Sequence, residues 1–126
     1  MKTVMVLTNV TGNEELDRQR AAEYCRFAAH KGNIPLSPYL CFHGVFKDEL
    51  AGAVEGFLAE RLVKNVDEVW VFGFEQGEAR KKREKAVQKR YGQKGRYFCH
   101  PEIGRELLLC AMYSEELIER LEEMEV

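Results

Sequence analysis

The sequence predicts an α/β fold: an open, parallel sheet of four to five strands with helices on both faces, three layers in all, and a C-terminal helical tail. Three observations predict it. Residues 3–8 (TVMVLT) are a continuous apolar run with the composition of a strand covered on both faces, and 66–73 (VDEVWVFG) is the clearest strand, with Val69, Trp70, Val71 and Phe72 contiguous. Segments of helical period follow each strand after a short polar loop, the spacing of right-handed βαβ units. The chain of 126 residues is 45% hydrophobic and 32% charged, enough for one core, too short for two and too apolar for disorder.

Each element has a local cause. After the first strand, Asn9-Val10-Thr11-Gly12-Asn13 is rich in turn formers and ends in a good N-cap, so a helix begins near residue 14. Ala21, Tyr24, Cys25 and Ala28 recur at helical spacing, and Gly32 supplies the stop. Ile34-Pro35-Leu36 reads as a short second strand, limited in ladder bonds by Pro35 and Pro38. Residues 37–46 (SPYLCFHGVF) read as an aromatic-rich connection. A helix over 47–65 follows, with Leu50, Val54, Phe57, Leu58 and Leu62 on one face and weakened by Gly52 and Gly56. The strand at 66–73 ends in Phe74-Glu75-Gln76-Gly77. The segment 78–91 has helical composition with little apolar stripe beyond Ala79, Ala86 and Val87, and 95–99 (GRYFC) closes the series as a last strand. The reading divides the chain into an α/β domain, 1–100, and an acidic helical extension, 101–126, packed on that domain or on a second subunit.

The formal charge of -2 conceals polarity. Residues 78–96 carry nine Lys/Arg against two Glu, or +7, and residues 101–126 carry eight Glu against two Arg, or -6. A basic block can hold phosphate, nucleic acid or an acidic surface; alternatively it offsets the acidic tail within one molecule or between two. Cys25, Cys41, Cys99 and Cys110 are scattered without a CxxC pair, and the histidines add no ligand spacing, so reduced thiols are expected and no metal site. No run is long and apolar enough to cross a bilayer, and the N-terminal segment lacks a cleavable-signal pattern, which together predict a cytoplasmic protein with no membrane partner.

Open parallel sheets place ligands outside the carboxyl ends of their strands, where the strand order reverses. That rule points to the loops 9–13, 37–46 and 74–78. Thr8, Asn9, Glu75, Gln76 and Gly77 would line one cleft, and Tyr39, Phe42 and His43 would wall it by stacking on a flat ring, unless the aromatics simply cap the core. There is no GxGxxG and no P-loop, and no cofactor is expected. Cys99-His100 reads as a strand end.

The stretches Tyr24-Cys25-Arg26-Phe27-Ala28, Gly32 to Pro35, Pro38 to Phe42 and Asp67 to Gly73 resemble the nucleoside 2-deoxyribosyltransferase-like proteins of bacteria and their phages, over roughly residues 3–98. The resemblance implies a flavodoxin-like sheet, a nucleoside or nucleotide ligand, and in active members cleavage or transfer at the N-glycosidic bond through a carboxylate nucleophile. The family's nucleophile lies at the start of the helix after the Trp strand, in a Ser-Glu-Gly-Met-x-x-Glu-Ile pattern. With Gly77 as the motif glycine, Glu75-Gln76 replace Ser-Glu and Lys81 occupies the nucleophile position. A register anchored on Gly92 and Arg96-Tyr97-Phe98 offers Glu84 instead, about 9 Å along the helix from Glu78. Glu84 and Glu78 are the candidate catalytic carboxylates. The alternative function is a non-catalytic protein that binds nucleic acid or an acidic partner through 78–91.

In the tail, Ile103, Leu107, Cys110, Ser114, Leu117, Leu121 and Met124 recur at spacings of 4, 3, 4, 3, 4 and 3, a heptad seam that predicts a homodimer interface. The competing arrangement has Ser114 cap a new helix and both pieces fold back on their own sheet.

Overall fold

The computed structural model describes residues 1–112, 118–119 and 122–123. Strands β1 (Thr3–Thr8), β2 (Ile34–Leu36), β3 (Glu68–Gly73) and β4 (Gly95–Cys99) alternate with helices α1 (Glu14–His30), α2 (Pro38–Phe42), α3 (Ala51–Val63), α4 (Gly77–Tyr91) and α5 (His100–Met112). A single 3₁₀ turn, Gly92–Lys94, joins α4 to β4. The sheet has the order β2-β1-β3-β4, and every pairing is parallel. The open α/β sheet is the architecture the sequence predicts, with four strands.

Alternation along the strands supplies both faces. Val4, Val6, Trp70 and Phe72 meet Tyr24, Phe27 and Ala28 of α1 and Leu107 of α5. Met5, Val69 and Val71 meet Val66 and Val87, with Leu62, Val63 and Tyr91 packed beside them. Because β1 and β3 lie between these layers, their central residues, Val4 to Leu7 and Val69 to Phe72, are apolar without interruption. Helix α1 begins where Asn13 caps it, its side chain accepting from the Leu16 N–H at 3.1 Å, and ends at Gly32, whose φ of 87° turns the chain into β2.

Three expectations change. The aromatic connection contains a helix, α2, because Ser37 accepts from the Leu40 N–H and Pro38 stands at its first turn. Helix α3 starts at Ala51 rather than near 47, since the Asp48 carboxylate accepts from the Leu50 N–H and holds the preceding residues in a turn. It buries none of its residues. The third concerns the first members of the tail seam: Leu107 and Ile103 pack on the α1-side core, and Cys110 is buried within the chain. The seam positions Ser114, Leu117, Leu121 and Met124 lie outside the described residues.

Candidate functional site

The chain leaves β1 toward β2 on one side and returns at β3 to build outward on the other. The strand order therefore reverses between β1 and β3. At this switch point the loops after both strands diverge and leave a crevice.

The loop after β1 is tied down from within. The Asp17 carboxylate, 1% exposed, accepts from the Thr11 N–H at 3.0 Å, the Thr11 hydroxyl at 2.8 Å and the Gly12 N–H at 3.2 Å. These N–H groups are therefore not offered to a phosphate, and Glu14, Glu15 and Asp17 place negative charge in the first turn of α1. Burial pushes the Asp17 carboxyl upward, but the bonds from Thr11 and Gly12 and the Arg20 charge outweigh it and leave it below its ordinary 3.8. A depressed carboxyl stabilises the fold above the unfolded-state value, and that contribution fades as pH falls through the folded one. Urea midpoints of the wild type should fall on acidification below about pH 4. Asp17→Asn should have a lower midpoint at neutral pH and a flatter acid limb; an unchanged acid limb would remove Asp17 as its source.

Asn9 faces α4. The Arg83 guanidinium donates from Nη2 to Asn9 Oδ1 at 3.3 Å, while its Nε is buried without an acceptor. The loop after β3 divides. Phe74 turns to the α1 side, stacked on His100 at 4.8 Å with Arg20 over its face at 4.7 Å. Glu75 folds back over Gly73, where Tyr97 donates its hydroxyl to Oε2 at 2.9 Å and to the Glu75 carbonyl at 3.1 Å. Glycine at 73 leaves the room, since a Cβ there would meet Glu75 Oε2 and stand 2.9 Å from the Tyr97 oxygen. Its own N–H, the Tyr97 hydroxyl and the nearby Arg83 charge hold the Glu75 carboxyl below its ordinary value against the effect of burial.

A groove of about 870 Å³ runs from this end between α3 and α4 over β1 and β3. It exists because α3 turns small residues, Ala53, Gly56 and Ala59, toward the sheet and stands away from it. Leu7, Phe57, Val71 and Val87 make its walls apolar; Thr8, Asn9 and Arg83 line one end and Glu60, Arg90 and Tyr91 the other.

The sequence expects Thr8 and Asn9 in a cleft at the strand ends, and in the structure they line one end of this groove. The lining does not include Glu75, Gln76 or Gly77, nor the wall expected from 39–43. Tyr39 and His43 stack on each other at 4.5 Å, His43 reaches Glu14 at 3.3 Å, and Phe42 is half-buried, because α2 leans on α1. Gln76 and Gly77 are exposed at the start of α4. Neither candidate nucleophile enters the groove. Glu84 is held by Arg80 at 2.7 Å and borders a separate depression beside β4 with Arg96 and Phe98. Glu78 is 88% exposed and pairs with Lys81 at 3.4 Å. Sequence reasoning missed Arg83, although its spacing of four from Val87 puts both on the inner face of α4. It also missed Glu60, the carboxylate that does line the groove, 3.9 Å from Arg90 at the far end. Among the described residues no group of three His, Cys, Asp or Glu could hold a metal, and no helix is long and apolar enough to cross a membrane.

Fold and crevice define a doubly wound α/β protein with a ligand-sized groove at its switch point. The chain belongs to the family described as a domain of unknown function, DUF7768, whose model matches residues 2–98, from the start of the chain into the last strand. No curated protein and no solved structure matches it.

Proposed function

We propose that this protein binds a nucleoside or nucleotide in the groove between α3 and α4, the heterocycle against Leu7, Phe57, Val71 and Val87 and the sugar or phosphate at Asn9 and Arg83. One observation carries the reading: at the switch point, Arg83 holds Asn9 with one guanidinium nitrogen and keeps a second, Nε, buried without an acceptor. A buried donor without a partner is costly, and a ligand oxygen would satisfy it. The resemblance to deoxyribosyltransferase-like proteins points to the same ligand class.

A panel of nucleosides and nucleotides followed by thermal shift and calorimetry tests this. A ligand at a hundred times its Kd should stabilise the folded chain by about 2.7 kcal/mol. Arg83→Ala should weaken the best ligand by roughly 10- to 100-fold, the worth of one charge-assisted hydrogen bond. A panel without a shift, or a ligand that Arg83→Ala and Asn9→Ala bind as tightly as the wild type does, would overturn the assignment.

A further inference from the structure

The outward face of α4 is a second feature, independent of the groove. Val87 is the buried residue of this helix, with Arg80, Arg83, Glu84 and Tyr91 half-buried around it. At about 100° per residue, Lys81, Lys82, Lys85 and Lys89 fall within an arc of about 100° on the opposite side. All four are exposed. Lys81 has a weak partner in Glu78 at 3.4 Å, and the other three have no ion-pair partner among the described residues. Of the acidic tail that the sequence sets against this block, the two α5 carboxylates do not reach the face: Glu102 pairs with Arg80 on the inner side, and Glu106 with Lys31 of the α1 layer. Lysines four apart on one helix face repel, so the face opposes local stability, and among the described residues only Glu78 offsets any of it.

We propose that the outer face of α4, Lys81, Lys82, Lys85 and Lys89, docks on the phosphate backbone of duplex nucleic acid. Four lysines over nine residues span about 12 Å, about the width of a DNA major groove, so they can meet phosphates on its borders. Lysine supplies point charge without the planar fork that reads bases, so binding would be independent of sequence. The face carries no aromatic side chain on which an unpaired base could stack, and this disfavours a single strand. It also carries no large apolar residue, which a protein interface needs as an anchor and a membrane-lying helix needs for insertion.

Fluorescence anisotropy of the full chain with a labelled mixed-sequence DNA duplex tests this, alongside a single strand of the same sequence and phosphatidylserine vesicles. Three to four phosphate contacts predict a log–log salt slope of about -2.7 to -3.6, or a loss of affinity of roughly 40- to 150-fold between about 50 and 200 mM salt. The double variant Lys85→Glu/Lys89→Glu should lose at least tenfold in duplex affinity while its circular dichroism and melting midpoint stay near wild type; Lys47→Glu, the same charge change outside α4, should lose little. The proposal is overturned by absence of duplex binding at about 50 mM salt, by a slope shallower than about -1, or by a double variant that binds as well as the wild type. Tighter binding to the single strand, or to vesicles in place of the duplex, would overturn it equally.

Discussion

Phe27→Ala is expected to destabilise the fold by about 3 to 5 kcal/mol, a fifth or more of the total stability of an ordinary domain. Phe27 is 2% exposed and sits at the centre of the α1-side core. Its ring meets Trp70 at 6.0 Å, Phe72 at 6.0 Å and Phe98 at 5.6 Å, each edge to face. Around it Tyr24 stacks on Phe72 at 4.1 Å and Phe72 on Phe98 at 5.2 Å. These rings come from three elements, α1, β3 and β4, so collapse around a missing ring would require the helix and the sheet to move together. Little relaxation is available, and the cost should fall at the upper end for a large-to-small change. Urea unfolding reads it as a lower midpoint at an unchanged slope. Leu108→Ala, at a side chain 70% exposed, should stay within about half a kcal/mol and serves as the control. A Phe27 loss below about 1 kcal/mol would show that the aromatic cluster is not the core of the fold.

The central strands were legible because burial on both faces leaves its mark on every residue: Val4, Met5 and Val6 are all buried, as are Val69, Trp70, Val71 and Phe72. The ends of α1 were legible from Asn13 and Gly32, whose roles are local. Elements whose form depends on a neighbour were not. Residues 39–43 are apolar enough to wall a cleft, but Ser37 and Pro38 start a helix that delivers Tyr39 and His43 to α1, and the sequence does not state that direction. Glu75 belongs to a loop at the right strand end, yet it folds back on Tyr97, a residue 22 positions away. Asn9 was found by a topological rule that needs only strand order. Arg83 was hidden in a run of cations, and its difference from Lys82 or Lys85 is one of helical phase, visible once Val87 is known to point inward.

Incubated with deoxynucleosides, the protein is expected to release base at close to the uncatalysed rate, a loss of several orders of magnitude against an enzyme with its nucleophile in place. Covalent chemistry at the sugar C1′ requires a carboxylate oxygen within attacking distance of a ring bound in the groove. Lys81, in the position matching the nucleophile of the deoxyribosyltransferase-like proteins that the sequence resembles, is a cation and points to solvent. Glu84, from the other register, is engaged by Arg80 and faces the β4 side of the helix, while Glu78 lies in solvent. Glu75 is ionised, but its Oε2 accepts from Tyr97 and from the Phe74 N–H at 3.1 Å, and it lies outside the groove lining. Glu60 does line the groove, but seven helical positions separate its partner Arg90 from Arg83, which puts it about 10 Å from the Asn9 end. Among the described residues, then, no carboxylate is placed to attack a sugar bound as proposed at Asn9 and Arg83. Chromatography of the incubation decides the matter, with Glu84→Gln and Glu78→Gln run in parallel. Both variants should match the wild type at background. Robust turnover abolished in Glu84→Gln would require α4 to rotate that side chain into the groove, and turnover abolished only in Glu78→Gln would place the nucleophile at the first turn of the helix; either result overturns the reading of the groove as a binding site without catalysis.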